Sequence, residues 1–120
     1  MEARARVSTI VAATMSRDEG IPVFSPLTHS HQMVREMDWM PNDWEFWEKI
    51  DQAYLRVSHK MSIIALPRWE QSIGVRAEHD FASTQGIPID FIDPKEYISS
   101  DDDHFSSLFN IDNIYEQRNQ

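Results

Sequence analysis

The stretch from Met61 to Ala82 limits the folds open to this chain more than any other. Met61-Ser-Ile-Ile-Ala-Leu66 is a short apolar run with β-branched residues, ended by Pro67. It reads as a parallel strand covered on both faces. Downstream, Ser72 is a good N-cap for a helix of roughly residues 72 to 85 that Gly86 closes, and Gly74, Ala77, Glu78, Phe81 and Ala82 share one face of it. An acid therefore stands among core positions, where removing an ionised carboxylate from water costs several kcal/mol unless it is paired. Two readings account for Glu78. Spacing by itself favours a surface helix on which Glu78 pairs with Arg76 or another neighbour. The place favours a ligand site, because open α/β sheets bind ligands beyond the carboxyl ends of their strands and helix N-termini hold anions there. In that case the Ser72 hydroxyl and the amides of residues 73 to 75 face a phosphate, and Glu78 lies farther along, within reach of a sugar.

The rest of the chain supplies the neighbours of this unit. Residues 2 to 18 carry Val7, Ile10, Val11, Thr14 and Met15 at helical spacing, with Gly20 as the C-terminal stop. Ile21-Pro-Val-Phe24 reads as a strand stopped by Ser25-Pro26, and a long loop follows. Asn42-Asp-Trp-Glu45 has capping-box spacing and opens a helix to about Val57. Trp47, Ile50, Tyr54 and Leu55 form its apolar stripe, and Asp51 falls inside that stripe. Asp51 is thus a second acid at a core position, with pairing to Lys49 or Arg56 as the plainer account. Ile87 to Ile92 is a third strand, ended by Asp93-Pro94. The alternation α, β, α, β, α, β predicts an α/β domain with a small parallel sheet over residues 1–97. Residues 98–120 read as an acidic tail in which Phe105, Leu108, Phe109, Ile111, Ile114 and Tyr115 form a short docked helix.

Composition removes several classes of function. A net charge of −9 argues against affinity for nucleic-acid polymers or anionic membranes, which need clustered Lys and Arg, but it leaves room for a single mononucleotide site. The chain has no cysteine, so disulfides and thiolate chemistry are excluded. No apolar run approaches the roughly 18 residues of a membrane span, and no secretory signal is evident, so a cytoplasmic location is expected. No cofactor is implied.

Taken in order, Val23-Phe-Ser-Pro26, the helix bearing Asp51, Ile63-Ile-Ala-Leu66, Ser72-Ile-Gly-Val-Arg-Ala-Glu78 and Gly86-Ile-Pro-Ile-Asp90 resemble the nucleoside 2-deoxyribosyltransferase-like superfamily over residues 21 to 93. Phe24-Ser-Pro-Leu-Thr-His-Ser-His31 with Trp44-Glu-Phe-Trp47 looks like an uncharacterised bacterial and phage branch of it. The resemblance implies a flavodoxin-like or Rossmann-like three-layer sandwich. Members begin with a central strand and a Gly/Ser-rich turn, so it also implies a domain lacking its first strand. It implies that Glu78 attacks C1′ of a deoxyribose and that Asp51 orients the sugar or assists proton transfer to the leaving base, two acids with divided roles. His59 stands where members usually carry a leading acid. Ser72 stands where transferases acting on free nucleosides carry an acid and 5′-monophosphate N-glycosidases carry serine, so the implied substrate is a nucleoside 5′-monophosphate held by Ser72 and the amide of Gly74. A homodimer or larger homo-oligomer follows from the same resemblance.

Several further residues are candidates for this site. His29 or His31 is placed against the base by the same resemblance. Two residues apart, they could also share one side of an extended segment and bind a metal with His59 or Asp38, but no third ligand has diagnostic spacing. Among the tryptophans, Trp69 lies in the strand-to-helix turn and is the best placed to stack on a base, although core packing is the commoner fate of a tryptophan. Lys60 and Arg68 are candidate phosphate partners, with solvated strand-end charges as the duller reading. Two functions from different classes remain: cleavage or transfer of an N-glycosidic bond, and a non-catalytic module that binds a nucleotide or a protein.

Overall fold

The computed structural model describes residues 2–41, 43–99, 102 and 106. In chain order the elements are α1 (Glu2–Glu19), α2 (Pro26–Glu36), α3 (Trp44–Arg56), β1 (Met61–Ile64), α4 (Ile73–Gln85) and β2 (Ile89–Ile92), with 3-10 turns at Trp69–Gln71 and Pro94–Glu96. The protein is an α/β domain with four helices and a small two-stranded parallel sheet among the described residues. No described helix is long and apolar enough to cross a membrane.

Alternation along β1 explains why helices cover both faces of so small a sheet. Met61 and Ile63 point one way and pack with Ala82 of α4, joined by Leu55, Trp69, Val75 and Ile89. Ile64, with Leu66 just beyond the strand, packs the other way against Val7, Val11 and Met15 of α1, where Ile92 and Ile98 complete the cluster. Val7 and Val11 are the largest fully buried side chains, one helical turn apart on the inward stripe of α1. The β1–α4–β2 unit has the in-register pairs Met61↔Ile89 and Ile64↔Ile92. α4 is bounded as the sequence predicts, with Ser72 capping it and Gly86 ending it at φ 72°, whereas both strands are shorter than expected, β1 ending at Ile64 rather than Leu66 and β2 starting at Ile89 rather than Ile87.

Two expectations fail between residues 20 and 40. Ile21–Phe24 is extended but is not a strand. Pro22 has no amide hydrogen to give, and among the described residues these four make no main-chain hydrogen bond. Side chains hold the segment instead: Val23 packs on the α1 cluster and Phe24 stacks on Tyr54 with ring centroids 3.8 Å apart. The expected long loop is mostly α2. Ser25-Pro26, read as a strand stop, is a helix start in which the Ser25 hydroxyl accepts from the Thr28 amide and Pro26 occupies the first turn. Asn42 lies outside the described residues, and α3 is capped by Asp43, whose carboxylate accepts from the Phe46 amide at 3.1 Å. Of the tail, Asp102 is tied to Arg6 of α1 at 3.0 Å, and the six apolar residues expected to form a docked helix lie outside the described residues.

Ser25 also accepts from the Thr28 hydroxyl at 2.9 Å, and that hydroxyl lies 2.9 Å from the Thr9 hydroxyl of α1. Ser25→Ala should therefore lower stability by about 1 kcal/mol, the usual worth of an N-cap, as read from the midpoint of urea unfolding.

Candidate functional site

α3 and α4 pack side by side, and three contacts along them show that they run in the same sense. The Trp44 ring lies against Gly74, Asp51 meets Glu78, and the Arg56 guanidinium stands 5.3 Å from the centre of the Phe81 ring. A β-carbon added at Gly74 would lie 3.4 Å from the Trp44 indole, ordinary van der Waals contact, so the two helix starts lie close together. Parallel packing turns the inward stripes of the helices toward each other and brings their two misplaced acids into one buried space. Asp51 is only 7% exposed, and its Oδ1 has no hydrogen-bond partner. Glu78 is half-buried.

The electrostatics follow from that packing. Burial pushes the Glu78 carboxyl up to about 8, and the hydrogen bond and negative charge of Asp51 push in the same direction. Burial also raises Asp51, while the bond from Glu78 and the nearby His29 pull it down. Both carboxyls are therefore harder to ionise here than in water. Two carboxylates in contact cannot both be charged cheaply.

His29 closes the α2 side of this space. Its ring lies 6.3 Å from Trp47 and 6.0 Å from Tyr54, the residues that bracket Asp51 on the inward face of α3, and 5.4 Å from Phe24. Its buried Nδ1 has no hydrogen-bond partner. His31 does not join it, because on a helix two positions turn by ~200° and point elsewhere. That rotation also rules out the side-by-side histidine pair an extended segment would give, and among the described residues no group of three potential ligands could hold a metal. Ser72 lies at the start of α4 with its hydroxyl accepting from the Val75 amide at 3.2 Å, and Gly74 lies beneath Trp44. Trp69 packs against the Met61, Ile63 and Ala82 cluster. It packs 5.3 Å from Phe91 and lines a separate groove of about 240 Å3 with Glu70, Arg76, His79 and Asp80. Arg76 and Asp80 project from α4 roughly opposite Glu78, so this groove opens on a different side of the helix. Lys60 is paired with Asp90 at 3.0 Å beside the amino end of β1, and Arg68 donates to Gln71 at 3.1 Å.

The family model of a domain of unknown function, DUF1937, matches residues 1–93. The chain belongs to the DUF1937 family. No curated protein and no solved structure matches it. The matched span contains every element of this DUF1937 domain from α1 to β2, and with them both members of the carboxyl pair.

The raised Glu78 carboxyl has a consequence for stability. An acid whose folded pKa exceeds its unfolded value favours folding while protonated, so its contribution is complete below about pH 4.5 and is lost as pH rises toward 8. The melting temperature of the wild type should fall across that window, with a free-energy slope of at most about 1.4 kcal/mol per pH unit for one proton. Glu78→Gln should flatten the slope. Identical pH profiles for the two proteins would show that Glu78 ionises freely.

Proposed function

We propose that this DUF1937 domain is a nucleoside 2-deoxyribosyltransferase-like enzyme of flavodoxin-like architecture. It cleaves or transfers the N-glycosidic bond of a nucleoside 5′-monophosphate. The observation that carries the reading is the contact between Asp51 and Glu78, and in the proposed reaction the pair holds one proton between its two carboxyls. Such a pair supplies the two groups the reaction needs, a carboxylate to attack and an acid to protonate the leaving group.

The steps balance around that one proton. With a sugar between the two side chains, the proton passes from Glu78 to Asp51. The freed Glu78 carboxylate then attacks C1′ as the C1′–N bond breaks. The bonding electrons leave on the base nitrogen, which takes the proton from Asp51, and the sugar remains as an ester on Glu78. Asp51, now ionised, takes a proton from water as the water oxygen attacks C1′, and Glu78 departs as a carboxylate. The pair again holds one proton. A second base in place of water gives transfer rather than hydrolysis. His29 lies on the side of Asp51 where the leaving base is handled in this scheme, and its free Nδ1 suits a hydrogen bond to that base. Ser72 and the Gly74 amide take the 5′ end.

Incubation of the wild type with deoxynucleoside 5′-monophosphates should release free base. Glu78→Ala should reduce release by at least about a thousandfold, since removing a nucleophile forfeits the covalent route. Asp51→Asn should reduce it by about 100- to 10,000-fold, the range for a proton-transfer group. Equal release by wild type and Glu78→Ala would end the assignment. A ligand-induced rise in melting temperature without any release would favour the non-catalytic binding module.

A further inference from the structure

Arg4 is a half-buried cation for which no described carboxylate accounts. The chain has 20 acidic residues against 11 lysines and arginines, so a guanidinium leaving water should readily find a carboxylate. Arg6 pairs with Asp102, Arg17 with Asp18 and Lys60 with Asp90. Arg4 instead donates from Nη2 to the carbonyl oxygen of Pro67 at 3.0 Å, and among the described residues no carboxylate accepts from it. One bond to a neutral carbonyl leaves most of the five N–H donors of the guanidinium unused.

The carbonyl it reaches locates the charge. Pro67 lies just past the carboxyl end of β1, the end at which parallel sheets bind ligands. From there Arg68 turns the chain with a φ of 67°, a left-handed conformation uncommon outside glycine, and the 3-10 turn Trp69–Gln71 delivers it to Ser72. Arg4 of α1 is thus braced on the turn that sets the start of α4. The cations nominated by sequence are placed otherwise: Lys60 beside the amino end of β1, and Arg68 bonded to Gln71.

We propose that Arg4 is the residue that recognises the 5′-phosphate, gripping its oxygens through the unused guanidinium N–H groups while Nη2 stays on the Pro67 carbonyl. This assignment rests on the nucleoside monophosphate reading above. It also gives a net-negative protein a local means of admitting a dianion, since a planar guanidinium fork matches phosphate oxygens and binds them by charge-assisted bonds. Arg4 touches no reacting atom in this scheme, so it acts on affinity and on the choice between nucleotide and nucleoside.

The test compares wild type, Arg4→Gln and Arg4→Lys. Binding of 2′-deoxyadenosine 5′-monophosphate, 2′-deoxyadenosine and inorganic phosphate is measured by calorimetry, with base release followed in parallel. Arg4→Gln should weaken the monophosphate about ten- to a hundredfold, the worth of a charge-assisted bond, and leave the unphosphorylated nucleoside unchanged. Arg4→Lys, which keeps the charge and can still reach Pro67, should fall between and serves if the glutamine variant does not fold. Equal weakening of nucleotide and nucleoside would show that Arg4 only braces the turn. Unchanged monophosphate affinity, or a wild type that binds neither the monophosphate nor inorganic phosphate, would also overturn the assignment. Arg4-dependent binding without base release would leave it standing and remove the glycosidic reading alone.

Discussion

One contact stands apart in this molecule: two carboxyl groups brought together between two helices. Either acid alone, on an apolar stripe, would cost several kcal/mol to ionise there or would simply stay protonated. Together they divide the problem, since one proton neutralises one member and hydrogen-bonds it to the other. The arrangement is poor for stability. Asp51, 7% exposed with an oxygen that lacks a partner, is the sort of unsatisfied group that native structures rarely keep without a use.

The rest of the fold serves to hold those helices at the right separation. Trp44 against Gly74 brings the helix starts together, Arg56 over Phe81 closes the far end, and Ala82 seats α4 on Met61 and Ile63 of the strand. α1 covers the opposite face through Val7 and Val11 and reaches the turn before α4 with Arg4. α2 closes the space from the side with His29, whose ring is held among Phe24, Trp47 and Tyr54. Among the described residues, α2, α3 and α4 thus meet around one pair of acids, with the sheet and α1 behind them.

Much of this was legible in the chain because its causes are local. Period and punctuation mark α1, α3, β1, α4 and β2, and the caps at Ser72, Gly20 and Gly86 act at the ends they mark. Where the reading failed, a local signal had two meanings. Ser25-Pro26 both ends extended chain and begins helices, and only the Thr28 amide and the Thr9 hydroxyl decide for the helix. Ile21–Phe24 has the composition of a strand, but a strand exists only beside another, and its composition does not say whether one is there.

By itself the sequence determined that Asp51 and Glu78 stand on apolar stripes, since helical period alone assigns residues to faces. It could not decide whether those stripes face solvent, the sheet or each other, because that depends on helices separated along the chain by a strand and a turn. Tertiary packing made the choice by setting α3 and α4 parallel, and so brought two separate anomalies into one contact. The same packing placed Arg4 against Pro67, a contact across 63 positions that no local pattern encodes. Desolvation and hydrogen bonding act between groups that are close in space, and only the folded chain defines that closeness.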